Sequence, residues 1–168
     1  IGVTTKEEDV AYEFIAGNTH EDLLFFTNLG KVYQTKMYEI PEGTRQSKGK
    51  AIANFLSLSA DEKVTSVLPV PKTKKGLPAG RQGQASYVIL STQKGVTKKV
   101  NAKDFEDVRH SGIRAINLQK PARPGGGGAT LRFARIVMPG EEVALSSKLG
   151  QAIRFKESQI RGMGRPAA

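Results

Sequence analysis

Cysteine is absent, so neither a disulfide framework nor a thiolate zinc site is open to this chain. Its two histidines, His20 and His110, stand far apart and offer no metal-ligating pair. No apolar run approaches the ~20 residues that a helix needs to span a bilayer. No basic-then-apolar segment opens the chain. These absences make a soluble, cytoplasmic protein with no membrane partner the expectation. The first residue is Ile1 rather than methionine, which suggests a piece of a longer polypeptide.

Acidic residues are scarce relative to bases. Lysine and arginine number 26 against 16 acids, a formal charge of +10 on 168 residues. A positive field of that size favours polyanions through long-range attraction and counterion release. Catalytic patterns are missing. "PARPGGGG" lacks the Gly-Lys-Ser/Thr that a phosphate-binding loop requires, and Ser146-Ser147 lacks a nucleophile elbow. Asp9 with Asp22, and Asp104 with Asp107, read as solvated loop carboxylates. His20 reads as a turn residue, and the four tyrosines fit strand packing.

What is present repeats. "FTNLGKVYQT", "LSTQKGVTKK" and "SSKLGQAIRF" each place a tight turn ending in glycine between an apolar run and a basic strand. The turn glycines are Gly30, Gly95 and Gly150, and glycine adopts positive φ there without steric cost. The runs Leu23–Phe26, Tyr87–Leu90 and Val143–Leu145 do not alternate and read as strands buried on both faces. The returning strands place bases on what should be a wet side: Lys31 and Lys36, Lys98 and Lys99, Arg154 and Lys156. An acid then an arginine follow each hairpin, with glycine three or four places on: Arg45 to Gly49, Arg109 to Gly112, Arg161 to Gly164. Lys48, Lys50, Arg114 and Arg165 extend these basic clusters. Further strands are expected at 63–70 and 131–138, with Tyr12–Ala16 in that part for the first unit. An apolar segment is expected at 51–58 and another at 113–118.

The fold class is therefore all-β, built of four-stranded blades that must stack to bury their apolar faces. The units run 1–61, 62–119 and 120–168, the last one incomplete, giving a partial disc of about three blades. The Pro- and Gly-rich stretches 69–84 and 120–128 read as loops between blades. Stacking would bring Lys31, Lys36, Arg45, Lys48, Lys50, Lys98, Lys99, Arg109, Arg114, Arg154, Lys156, Arg161 and Arg165 onto one curved border. Spaced positive charge on a rigid curved surface bends a duplex through phosphate contacts.

The passages 17–70, 91–118 and 150–165 also resemble the C-terminal domain of the A chain of bacterial DNA gyrase. That resemblance implies a β-pinwheel of blade-like sheets that wraps double-stranded DNA without reading its sequence. It implies partners in the remainder of the gyrase A chain and in the gyrase B chain, within an A2B2 enzyme near the nucleoid. That enzyme would use ATP and magnesium to introduce negative supercoils, while this segment would be non-catalytic and hold no cofactor. The family's glycine- and base-rich wrapping box is not found; "RQSKGK" at 45–50 is only a looser relative. The related A chain of topoisomerase IV therefore stays open. So does a protein-interaction propeller whose charge is incidental.

Overall fold

The structure is a computed structural model and describes residues 13–44, 47, 49–70, 86–118 and 128–165. Its strands are β1 (Asp22–Thr27), β2 (Lys31–Lys36), β3 (Val64–Val70), β4 (Tyr87–Thr92) and β5 (Thr97–Asn101). They continue with β6 (Ile113–Arg114), β7 (Leu131–Val137), β8 (Glu142–Ser146) and β9 (Ala152–Lys156). Three small sheets result: β3-β1-β2-β6, β5-β4-β7 and β8-β9.

Three hairpins are made in the same way. Each turn glycine has positive φ, 74° at Gly30, 83° at Gly95 and 85° at Gly150. Each glycine amide donates to the carbonyl three residues back: Thr27 at 2.9 Å, Thr92 at 3.0 Å and Ser147 at 3.1 Å. A short 3-10 helix begins seven residues past each glycine, at Met37, Ala102 and Glu157. The first amide of each helix donates back to the residue before its hairpin, Glu21, Ser86 or Glu141. The β1–β3 and β4–β7 ladders even share a register shift, at Phe26/Thr27 and at Ser91/Thr92.

The sheets do not respect contiguous units. A cut after residue 61 would give β3 to the second hairpin, and a cut after 119 would give it β6. Hydrogen bonds place both in the first sheet, β3 beside β1 and β6 beside β2. β7 likewise pairs with β4 rather than with the third hairpin. Residues 13–17 form no strand; the place beside β1 that Tyr12–Ala16 was expected to fill belongs to β3. The segment at 51–58 is a 3-10 turn at Ile52–Asn54 with Leu56 buried behind it.

Burial explains the non-alternating runs. One face of the first sheet, with Leu24, Phe26, Val32 and Leu68, shares a core with Val88, Leu90, Val100, Phe105 and Leu131 of the second unit. Phe26 and Phe105 meet edge to face at 5.6 Å. The other face, with Leu23, Phe25 and Tyr33, is covered by Leu56 and its neighbours. A strand covered on both faces has no reason to alternate. β3 and β7 lie against each other, and the Ala134 amide donates to the buried Ser66 hydroxyl at 3.0 Å. The third hairpin breaks the expectation of a buried run. Val143 and Leu145 are half-buried and Ala144 is exposed, because no strand pairs with the free side of β8 among the described residues.

Candidate nucleic-acid interface

β3 and β7 form the shared inner side of the two larger sheets, so β2 with β6, and β5, are the outer edges. Each outer edge is finished by backbone arriving from the next unit. On the first sheet this is the stretch ending in β6, where Ile113 and Arg114 pair with Val32 and Lys31. On the second it is 162–163: Gly162 bridges Lys99, and the Met163 amide donates to the Lys99 carbonyl at 2.8 Å. Both finishing stretches carry two arginines, Arg109 and Arg114 on one, Arg161 and Arg165 on the other. Gly112 permits the close approach in the first. Its φ is 75°, and an added Cβ would lie 2.7 Å from the Tyr33 ring.

Arg109, Arg114 and Arg161 are exposed and Arg165 is half-buried. No ion pair holds any of the four among the described residues; Arg114 donates to Asn117 Oδ1 at 3.3 Å. Lys156 and Lys50 are also exposed and carry no ion pair there. Three other sequence candidates are charge-compensated. Lys31 stands 3.5 Å from Glu62, Lys36 pairs with Asp22, and Arg154 pairs with Glu142 at 3.2 Å. Lys31 and Lys36 also occupy opposite ends of β2. Arg45 and Lys48 lie outside the described residues.

Lys98 and Lys99 correct the expectation of a wet basic face. They are only 2% and 8% exposed, because the stretch 157–165 lies over them. Lys98 Nζ donates to the carbonyls of Gly164 at 3.3 Å and Arg165 at 2.5 Å. Lys99 Nζ donates to the Glu157 carboxylate at 2.5 Å and its carbonyl at 3.1 Å. The Lys99 ammonium also stands 4.6 Å from the Tyr87 ring centre. Burial pushes the Lys98 ammonium down to about 8.

Sequence reasoning missed a second group of exposed bases. Lys63 and Arg132 line a groove of about 380 Å³ together with Asn28, Thr65 and Thr130. Lys94 sits at the tip of the second hairpin nearby, where Gln93 donates to the Thr130 carbonyl at 2.9 Å. Lys63 precedes β3, Lys94 sits in a turn and Arg132 lies at the start of β7, so no set of equivalent positions in the three hairpins signalled them. Among the described residues no helix is long and apolar enough to cross a membrane, and no cluster of histidine, aspartate and glutamate could hold a metal.

The family described as "DNA gyrase C-terminal domain, beta-propeller" matches residues 21–71, 86–122 and 141–168. The DNA gyrase A chain of Nocardioides sp. is 37% identical over 166 residues, covering 98% of this chain and 16% of that protein. The DNA gyrase A chain of Salmonella typhimurium is 35% identical over 162 residues, covering 96% of this chain and 17% of that protein. The chain thus spans less than a fifth of the length of these relatives. Among solved structures, a C-terminal domain of DNA topoisomerase IV superposes with TM-score 0.75 at 24% identity, covering 99% of this chain and 47% of that one. A DNA gyrase A C-terminal domain gives 0.65 at 22% identity, covering 94% and 47%. With the family matched over most of its length, and long relatives above 30% identity, the chain belongs to the DNA gyrase C-terminal domain family.

Proposed function

We propose that this chain is a DNA-binding and wrapping module of a DNA gyrase A chain, arranged as an arc of pinwheel blades. The observation that carries the reading is the repeated finish of the outer edges, each a backbone segment bearing two arginines. Arg109, Arg114, Arg161 and Lys156 offer four exposed charges without ion pairs among the described residues. Lys31, Lys36 and Arg154 exchange a carboxylate for a phosphate when a duplex arrives. Guanidinium groups suit phosphate because their forked donors match two oxygens at once. Sequence plays little part in such binding, which positions the backbone rather than reading bases.

The bend itself costs energy. Bending 20–30 base pairs smoothly by 40–90° takes about 1–6 kcal/mol, which the added phosphate contacts offset. The parent enzyme is then an A2B2 assembly with ATP and magnesium acting elsewhere than in this segment. The two relatives described above, at 37% and 35% identity, are gyrase A chains, which favours gyrase over topoisomerase IV.

Anisotropy titration of duplexes of unrelated sequence across a salt series tests the reading. With about four to five phosphate contacts, log K should fall against log salt with slope near −4. Different sequences should bind within a few-fold of one another. Absence of duplex affinity at low salt, or affinity indifferent to salt, would overturn it.

A further inference from the structure

Both outer-edge joints are made by backbone from the next unit, an antiparallel pairing in the first and a parallel bridge in the second, and their side-chain chemistry differs too. Three and four residues past Gly30 stand Tyr33 and Gln34; three and four past Gly95 stand Lys98 and Lys99. In the first joint Tyr33 packs on Gly112, and Gln34 bonds the Glu106 carbonyl and the Val108 amide at 3.4 and 2.9 Å. In the second, Lys98 reaches the Gly164 carbonyl and Lys99 grips Glu157. The first joint is neutral, and the second is an ion pair.

The surroundings differ as well. The first joint lies beside the shared core, to which Val108, Ile113, Ala115 and Ile116 contribute. No residue of β8, β9 or 157–165 belongs to either core cluster. Apolar burial, the main cohesive force inside the two larger sheets, is thus nearly absent between them and the third hairpin. What seats that hairpin is polar. Glu157 accepts from Lys99 with one carboxylate oxygen and from the Gly140 amide with the other, at 3.2 Å. One carboxylate thereby fixes both the entry to β8 and the segment that leaves β9.

We propose that Glu157, acting through Lys99, is a positioning residue that sets the third hairpin against the second sheet and so sets the path of bound DNA. Lys156, Arg161 and Arg165 flank this joint in sequence, so their placement depends on it. Loosening the joint leaves those charges present but no longer fixed. Affinity then changes little, while the imposed bend relaxes. This rests on the wrapping reading above.

The test compares the 168-residue chain with Glu157→Gln and Lys99→Met. Hydrogen exchange follows the Met163 amide, which bonds Lys99, against the Ala115 amide, which bonds the Gly30 carbonyl at 2.8 Å in the first joint. Energy transfer between the ends of a labelled duplex reads the bend, and anisotropy reads affinity. Expected in both variants is about tenfold faster exchange at Met163 with Ala115 unchanged. End-to-end transfer should drop while Kd stays within about threefold. Unchanged exchange and unchanged transfer would overturn the proposal. Loss of protection at Ala115 too would also overturn it, by showing general unfolding in place of a local joint. A wild-type chain that binds no duplex would sink the wrapping reading and the bend with it, while exchange at Met163 would still decide the joint.

Discussion

Glu62 is nearly inaccessible, yet three donors converge on its carboxylate. Thr27 Oγ1 lies at 2.7 Å, the Tyr33 hydroxyl at 2.9 Å and the Ser59 amide at 3.2 Å. Burial would raise its pKa, but these hydrogen bonds and the nearby Lys31 outweigh burial and hold it below the ordinary 4.5. A carboxyl with a depressed folded value contributes stability above the unfolded value and loses it as pH falls through the folded one. Glu62→Ala should cost about 3 kcal/mol at neutral pH, since it strands the buried Thr27 and Tyr33 hydroxyls. Glu62→Gln should cost less and should flatten the loss of stability below pH 4.5. Urea melts at pH 7 and in acid check both. The slope has the same sign at Lys98, pushed down to about 8 from 10.5 by burial, but there the shift costs stability at neutral pH and the window is alkaline. Between those values the unfolded chain holds a proton that the folded chain lacks, so stability rises with pH. Lys98→Met should remove that rise, which melts at pH 8 and 10 would show. Neither role is legible in sequence. Glu62 lies 29 residues from Tyr33 and 35 from Thr27, and Lys98 looks like any lysine on a returning strand.

The hairpins themselves are legible, because a turn glycine and an apolar run are local signals. Gly30, Gly95 and Gly150 all take the positive φ that their place in the repeat implies. What pairs beside a hairpin is not local. β3 follows the first hairpin and precedes the second, and pattern alone cannot say which edge it joins. The stretch 37–63 between β2 and β3 leaves either hairpin within reach, and only the ladder with β1 settles the matter. The burial of β1 is legible as a non-alternating run, while β8, read in the same way, stays half exposed. Its run has the same apolar character but no covering element among the described residues. Packing energies should follow this division. Phe26→Ala, in the core shared by both larger sheets, should cost about 3–5 kcal/mol. Ile153→Ala, at 60% exposure on β9, should cost well under about 1 kcal/mol. Chemical denaturation of the two variants gives the comparison.

Across the whole molecule, two tracks of exposed bases can be traced among the described residues. One follows the outer edges, through Arg109, Arg114 and Arg161; the other lies near the hairpin tips and the inner strands, through Lys63, Lys94 and Arg132. The sequence repeat points to the first, because those residues recur after each hairpin. It also puts Lys98 and Lys99 there, where the structure folds the next unit over them and turns them into a joint. The second track has no repeat behind it and is invisible in sequence. Two triple variants separate the tracks most directly, each replacing three positive charges by glutamine. One carries Arg109→Gln, Arg114→Gln and Arg161→Gln; the other carries Lys63→Gln, Lys94→Gln and Arg132→Gln. Duplex affinity is measured for each across salt, beside the unaltered chain. If DNA follows the outer edges, the first variant's salt slope becomes shallower by about 3 and the second variant's slope stays put. A shallower slope in the second variant with none in the first would contradict wrapping on the outer edges.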